Sequence, residues 1–325
     1  MGALSVASEA RPGASSSHDA MGRRLNGLSI DVEDYYQVSA FAGAIPREDW
    51  PRWPSRVEHS TQRTLGMLAD ANVHGTFFIL GCVARRYPSL VREIADQGHE
   101  IASHGSEHRR IWEQSRREFA FDVCGAKKCL EDISGMRVTG YRAPSFSIDK
   151  RTWWAFDVLA ESGYRYSSSV NPIRHDHYGM PDAPRDRFSP RHGITEIPVG
   201  TVEVAGKRLP CGGGGYFRLF PYTFSRWCIQ RMNEVEARGA VFYFHPWEID
   251  PEQPRITGAS IRSRFRHYVN LEAMEGKLRR LLRDFAWRRL DAVFLGENED
   301  FEAAAVAADG HSSLIGATLC ARKHR

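Results

Sequence analysis

From Leu28 onward, strand-like and helix-like segments alternate along the chain, and this alternation limits the possible folds more than any other sequence feature. Apolar runs such as Leu28–Val32, Val73–Leu80 and Ala240–Phe244 have the length and composition of buried strands. The segment Ser115–Ile133 carries apolar residues at helical spacing. Strands that alternate with helices pair in parallel, because each crossover helix returns the chain to the same end of the sheet. The sequence therefore predicts an α/β fold built on a parallel sheet.

The remaining elements follow from the same patterns. Further helices are predicted at 58–71, Pro88–Gln97, Asp149–Ser162, Phe224–Arg238 and Leu271–Leu290, and further strands at His99–Ser103, Val138–Tyr141 and Tyr164–Val170. The β-branched stretch Ile194–Leu209 is predicted to be a hairpin that turns at Ala205-Gly206. We expect the chain to divide into a disordered leader (1–25, with Met21 as an alternative start), an α/β barrel (26–250), a helical extension packed on it (251–297) and a disordered tail (298–325).

Charge and composition exclude several classes of function. The formal net charge is only +4, which is too small an excess to predict a nucleic-acid partner. No stretch approaches the roughly 20 apolar residues that a membrane span needs, so no integral membrane segment is expected. The six cysteines include no CxxC pair and are too sparse for a disulfide scaffold. We therefore expect a cytoplasmic protein, either free or peripheral to the inner membrane.

Three short patches of histidines and carboxylates each follow an apolar, strand-like run. They are Leu28–Asp34, Glu100–His108 and Val241–Trp247. The stretch Tyr141–Ser145 follows another predicted strand. In parallel α/β barrels the chemistry collects at the carboxyl ends of the strands. Four such motifs on one predicted rim indicate a site, and their side chains are typical of a metal-assisted hydrolase.

The first two patches offer ligands for a divalent metal. His104 and His108 are four residues apart, which suits two ligands on one face, although two polar loop histidines would look the same. Three carboxylates crowd into four residues at Asp31, Glu33 and Asp34, and they repel one another unless a cation or an arginine neutralises them or the loop is simply solvated. Strand alternation places Asp31 and Glu33 on the same side, with Asp34 reachable only if the strand has ended.

The other two motifs supply groups that could move protons. Arg142 could pair with Asp31 and keep it ionised, or could be an ordinary surface arginine. His245 ends a buried strand and is followed by a proline, so its backbone is extended. Its imidazole could act as a general acid, or it could be a satisfied core histidine.

Two further stretches could border the same cleft. The glycine-rich segment Cys211–Tyr216 lacks the ending of a phosphate-binding loop and is interpreted as a flexible loop beside the site. His175 and His177 form a second possible metal pair, or else contact the substrate.

Taken together, these motifs show what the chain is similar to. It resembles the polysaccharide deacetylases of the nodulation-protein B homology type (carbohydrate esterase family four), in the branch associated with exosortase and exopolysaccharide loci. The resemblance extends over about residues 26–290. It is carried by the stretches 29–37, 75–81, 98–108, 141–147, 244–248 and 266–271.

The resemblance implies a distorted (β/α) barrel with a divalent metal, usually zinc. It implies that Asp31 is the general base, that His104 and His108 are metal ligands, that Arg142 orients the base and that His245 is the general acid. The family motif has two adjacent aspartates, whereas Val32 follows Asp31 here, so the third ligand is Glu33, favoured by the alternation, or Asp34. The Ser145 backbone N–H is assigned to the oxyanion, and Trp247 and Tyr216 to the sugar.

The expected function is removal of N-acetyl groups from the amino sugars of a polysaccharide or its precursor, in exopolysaccharide biosynthesis. The partner is then an acetylated amino-sugar polymer or oligosaccharide. Two alternatives remain at this stage. One is a hydrolase of small non-peptide amides, similar to an allantoinase, and the other is a non-catalytic carbohydrate-binding protein.

Overall fold

The computed structural model describes residues 17–175 and 178–296. The strands are β1 (Leu25–Val32), β2 (Thr76–Ile79), β3 (Glu100–Ser103), β4 (Gly140–Tyr141), β5 (Tyr166–Ser167), β6 (Phe188–Arg191), β7 (Ile194–Glu196), β8 (Thr201–Val204), β9 (Lys207–Pro210), β10 (Val241–Phe244) and β11 (Ala286–Arg288). The α-helices are α1 (Val57–Asp70), α2 (Gly81–Arg86), α3 (Pro88–Asp96), α4 (Arg116–Ser134), α5 (Ala155–Glu161), α6 (Gly214–Leu219), α7 (Tyr222–Gln230), α8 (Ile261–Tyr268), α9 (Leu271–Asp284) and α10 (Leu290–Phe294). A π-helical turn, Arg231–Val235, follows α7.

The main sheet is parallel except at one edge. Its strand order is β10-β1-β2-β3-β4-β5-β7-β6, with β11 also paired to β1, and only β6 runs antiparallel to its neighbour. The helices that connect the strands cover it, with buried apolar side chains between the two layers. Because the strands are parallel, the residues that follow β1, β3, β4 and β10 all lie at the same edge of the sheet. The predicted α/β fold is confirmed.

The sheet curls, and loop backbone bridges the gap between β7 and β10. The Gly200 N–H donates to the Val241 carbonyl at 2.9 Å, and the Tyr243 N–H donates to the Gly212 carbonyl at 2.7 Å. A Cβ atom on Gly212 would lie only 2.3 Å from the Val241 oxygen. Glycine is therefore required there by a close backbone approach, and this end of the glycine-rich segment forms part of the barrel wall.

Two predicted elements differ from the structure. The helix predicted over Leu271–Leu290 ends at Asp284, and the chain then forms β11, which pairs with Leu25–Gly27. The segment Ile194–Leu209 does not form a single hairpin. Its first part is β7 in the main sheet, and Pro198, which has no N–H to donate, lies between β7 and the hairpin of β8 and β9. The hairpin does turn at Ala205 and Gly206, both with positive φ.

Several domain boundaries fall at or beyond the limits of the described residues. Most of the predicted leader, 1–25, and the predicted tail, 298–325, lie outside them. Within the leader, His18 forms an antiparallel bridge with Arg24, and Leu25 already belongs to β1. The extension 251–297 contributes a strand to the sheet as well as helices. Among the described residues, no helix has both the length and the apolar character needed to cross a bilayer.

Candidate active site

A cavity of about 470 Å³ opens at the carboxyl edge of the sheet. It is lined by most of the side chains singled out from the sequence: Asp31, Glu33, His104, His108, Ser145, Tyr216, His245 and Trp247. They come from strand ends far apart in the chain, and parallel pairing brings those ends together. Arg142 is fully buried directly beside this group.

Glu33, His104 and His108 form a cluster that can hold a metal ion. One ligand atom from each lies within 4.8 Å of the other two, and all three residues are buried. Glu33 Oε2 is 2.8 Å from His108 Nε2, yet it makes no hydrogen bond of good geometry. A buried carboxylate oxygen without a hydrogen-bond donor fits a cation, and one carboxylate with two imidazoles is a common ligand set for a catalytic zinc ion that keeps an open position.

The protonation states in this cluster also suit metal binding. His104 Nδ1 lies 2.8 Å from the Arg142 carbonyl, and since a carbonyl can only accept, Nδ1 carries the proton and Nε2 is left as the ligand atom. Burial lowers the pKa of His104 to about 4, so its imidazole is neutral. Burial by itself would raise the pKa of Glu33, but His108 and His245 outweigh it and lower that pKa to about 2. Glu33 is therefore ionised.

The structure separates the two candidate carboxylates for the third ligand. Glu33 reaches the histidine pair, as strand alternation predicts. Asp34 turns the other way, where its carboxylate accepts from the Ser55 hydroxyl at 2.5 Å and from the Arg56 N–H at 2.9 Å. Its hydrogen bonds hold the start of α1, and they leave it outside the metal cluster.

Asp31 is held in place by Arg142. Arg142 Nη1 donates to Asp31 Oδ1 at 2.6 Å and to the Ser29 hydroxyl at 2.9 Å. Its other two nitrogens donate to the Ser168 carbonyl and hydroxyl, each at 2.9 Å, and its guanidinium lies over the Phe78 ring. Four hydrogen bonds fix a buried cation against one carboxylate oxygen. The second oxygen, Oδ2, lies 4.0 Å from His245 Nε2, so a reacting group between them could contact both side chains.

His245 belongs to a chain of charges that sequence reasoning missed and whose other members, Glu248 and Arg218, are buried. Its Nδ1 lies 2.8 Å from Glu248, and Glu248 also accepts from Arg218 Nε at 2.7 Å. Burial opposes the charged form, but Glu33 and Glu248 raise the pKa of His245 to about 9. Glu248 itself is ionised, because Arg218 and His245 overcome the effect of burial and lower its pKa to about 2. A protonated imidazole facing Asp31 and Glu33 can give up a proton.

A sequence signal existed for only one of these two residues. Glu248 comes three residues after His245, and its carboxylate accepts from the His245 backbone N–H at 3.1 Å, as in a capping box at the start of the 3-10 turn Pro246–Ile249. Arg218 lies in α6, about 30 residues earlier, and no spacing rule connects it to His245.

The structure leaves little of Trp247 available to a sugar, although this residue lines the cavity. Trp247 is only 6% exposed, and its ring stacks on His267 with centroids 4.1 Å apart and also on His245 at 5.2 Å. Both stacking contacts cover parts of the ring that a pyranose would need, so a sugar contact by Trp247 stays a prediction. Tyr216 is half-buried on the wall of the cavity, and Ser145 lines it in a turn where φ is +55°. His175 also lines the cavity, while His177 lies outside the described residues.

Comparisons with known proteins agree with this geometry. Residues 48–167 match the family model described as Polysaccharide deacetylase, and residues 168–295 match the one described as Domain of unknown function (DUF3473). The chain is 30% identical over 110 residues to the chitooligosaccharide deacetylase of Azorhizobium caulinodans, a match that covers 27% of this chain and 52% of that protein. It is 31% identical over 91 residues to the peptidoglycan-N-acetylglucosamine deacetylase PgdA of Listeria monocytogenes, a match that covers 28% of this chain and 20% of that protein.

The fold has a counterpart among solved structures. A Mycobacterium smegmatis protein assigned to the polysaccharide deacetylases superimposes with a TM-score of 0.56 at 20% identity, over 88% of this chain and 94% of that one. The chain spans about half or less of the length of the two curated relatives above. Residues 48–167 thus match the polysaccharide deacetylases, and both the resemblance to that family seen in the sequence and the predicted barrel type are confirmed.

Proposed function

We propose that this protein is a metal-dependent hydrolase that removes N-acetyl groups from the amino sugars of a polysaccharide or its precursor. The observation that carries the proposal is the placement of Asp31 and His245, whose side-chain atoms lie 4.0 Å apart, beside the Glu33, His104 and His108 cluster, because binding alone needs neither a base nor an acid. The named relatives are deacetylases of chitooligosaccharides and of peptidoglycan N-acetylglucosamine, which supports this substrate class.

Each side chain has a role that its environment permits. Glu33, His104 and His108 would hold the ion, for which we propose zinc because two imidazoles and one carboxylate suit it. When bound, a divalent ion lowers the pKa of a water molecule and polarises the acetyl carbonyl. Asp31, oriented by Arg142, takes the proton from the attacking water.

The same geometry accounts for the end of the reaction. The Ser145 backbone N–H is proposed to donate to the carbonyl oxygen of the acetyl group, which gains negative charge when the water attacks. His245 then transfers its proton to the departing amine, and Glu248 stabilises the protonated form until that step. We propose that the reaction serves exopolysaccharide biosynthesis and takes place in the cytoplasm.

The proposal is tested by measuring metal content and acetate release together on the purified full chain. The wild-type protein should hold about one metal ion, release acetate from N-acetylglucosamine oligomers and leave small ureides unhydrolysed. Asp31→Asn should keep the metal and lose about 10²- to 10⁴-fold in turnover, because only the base is removed. His104→Ala should lose both.

A matched control is Asp132→Asn, which changes an exposed carboxylate on α4 and should leave metal and turnover unchanged. Full turnover in Asp31→Asn would refute its role as base. Hydrolysis of small ureides to their ring-opened carboxylates, without acetate release from the oligomers, would favour the small-amide hydrolase. Binding of glycans without either product or metal would favour a non-catalytic protein.

A further inference from the structure

Exposed apolar side chains concentrate beside the mouth of the cavity. Among the described residues, five of the eight exposed large hydrophobic side chains belong to α6, α7, α8 or the short connection after α6. The five are Leu219, Phe220, Trp227, Ile261 and Phe265. Ile261 is 84% exposed and Phe265 is 58% exposed. The two residues are four positions apart and therefore lie on one face of α8. Clustered exposure of this kind marks an interaction surface, since isolated apolar residues on a surface are ordinary.

Contacts between the helices make this one continuous surface. Arg218 in α6 donates to the backbone carbonyls of Arg266 and His267 in α8, at 3.1 and 2.7 Å. Leu219 and Phe265 both line the cavity, so the two helices meet at its mouth.

A row of aromatic rings extends the surface along α7. Phe220, Phe224 and Trp227 follow one another with ring centroids 4.9 and 6.2 Å apart. Trp227, at the far end of the row, is exposed. The surface therefore runs from the cavity mouth onto the outer wall of the barrel.

The charge of the same segments is uniformly basic. Residues 204–233 and 253–271 contain no aspartate or glutamate, although the whole chain has 40 acidic residues in 325. The two segments carry nine lysines and arginines. On α8, the exposed Arg262 and Arg264 flank the pair Ile261 and Phe265. A surface of this composition complements an anionic partner.

We propose that this docking face, formed by Leu219, Phe220, Trp227, Ile261 and Phe265 with Arg262 and Arg264, binds an anionic phospholipid bilayer. Apolar side chains that enter the interface, flanked by arginines that attract acidic lipid headgroups, are the pattern of a peripheral membrane contact. Leu219 and Ile261 offer a sugar neither a flat ring face nor a hydrogen-bonding group, so a glycan fits this face less well. Docking through it would turn the cavity mouth toward the membrane surface.

The proposal is tested by co-sedimentation of the full chain with lipid vesicles. The wild-type protein should sediment with phosphatidylcholine vesicles containing about one third phosphatidylglycerol, and much less with phosphatidylcholine alone. Binding should weaken as salt rises from about 0.1 M to about 1 M, because the Debye length falls from about 10 Å to about 3 Å.

Variants separate the apolar and the electrostatic contributions. Ile261→Ser combined with Phe265→Ser should weaken vesicle binding roughly tenfold or more, because less apolar area enters the interface. Arg262→Gln combined with Arg264→Gln should weaken it by about fivefold for each arginine. Phe121→Ser is the matched control, because Phe121 is 64% exposed on α4, away from this face, and its loss should change nothing. Circular dichroism spectra of all variants verify that they fold.

Two results would overturn the proposal. One is no binding to the anionic vesicles, or equal binding by the wild-type protein and both double variants. The other is unchanged vesicle binding in the Ile261 and Phe265 variant together with reduced binding of soluble N-acetylglucosamine oligomers, which would make the face a glycan site. Neither result depends on whether the protein deacetylates its substrate, so failure here and failure of the proposed function are distinguishable.

Discussion

Replacing Glu33 by glutamine and, separately, Asp34 by asparagine distinguishes the two carboxylates that compete for the third metal position. Structural zinc sites with four ligands bind with about 10–16 kcal/mol, or about 3 kcal/mol per ligand. Glu33 provides one of the three clustered ligands. Glu33→Gln should therefore weaken metal binding on the order of a hundredfold. Asp34→Asn should leave it unchanged, because Asp34 bonds to Ser55 and Arg56 instead.

Thermal unfolding with and without metal measures this difference. Free metal at about 100 times the dissociation constant, the condition chosen for the wild-type protein, stabilises a folded protein by about 2.7 kcal/mol. For Glu33→Gln, with a roughly hundredfold larger dissociation constant, the same metal concentration equals that constant and stabilises by only about 0.4 kcal/mol. Added zinc should thus raise the unfolding temperature of the wild-type protein by about 5 °C and that of Glu33→Gln by about 1 °C.

The Asp34→Asn protein should respond to zinc like the wild-type protein. Its metal-free form should start about 1–2 kcal/mol less stable, because its hydrogen bonds to Ser55 and Arg56 no longer involve a charge. A normal zinc response in Glu33→Gln, or its loss in Asp34→Asn, would refute the argument from strand alternation and place the metal elsewhere.

Three further perturbations probe the barrel and the acid. Glu248→Gln removes a charge that raises the pKa of His245. Since a general acid works only while protonated, the alkaline limb of the pH profile of kcat/KM should move about one unit or more to lower pH. An unmoved limb would contradict the role of His245. Arg142→Met leaves a buried carboxylate without its partner and should lower the free energy of unfolding by about 3–5 kcal/mol in urea titrations, whereas a neutral result would mean that the pair is not formed. Gly212→Ala forces a Cβ against a backbone oxygen and should cost about 2 kcal/mol or more, while Gly215→Ala, with open space around it, should be neutral or slightly stabilising.

The sequence predicted the parts of the site that depend on local pattern. Buried strands are apolar runs, so the polar residues directly after them, such as Asp31, His104 and His245, could be located at one edge without coordinates. Alternation along β1 also favoured Glu33. These inferences needed only the direction of the strands and the side on which each residue lies.

The sequence could not predict features that depend on distant partners. The apolar stripe of α9 continues through Phe285 at helical spacing, yet the chain becomes a strand there because β1 offers hydrogen bonds to 286–288. From the sequence alone, an aromatic residue after a strand, such as Trp247, looks available to a sugar. Only the fold shows that His267 covers it.

The boundary between the two family matches, at 167 and 168, falls just after β5 and divides the residues of the proposed active site. His104, His108 and Arg142 lie on one side of it, and His245, Glu248 and Arg218 lie on the other, while β1 with Asp31 and Glu33 precedes both matches. A truncation at 167 would also remove β10 and β11, two strands that pair with β1. Neither part is a portable module, and a transplant into another protein would have to carry the whole barrel from Leu25 to Phe294.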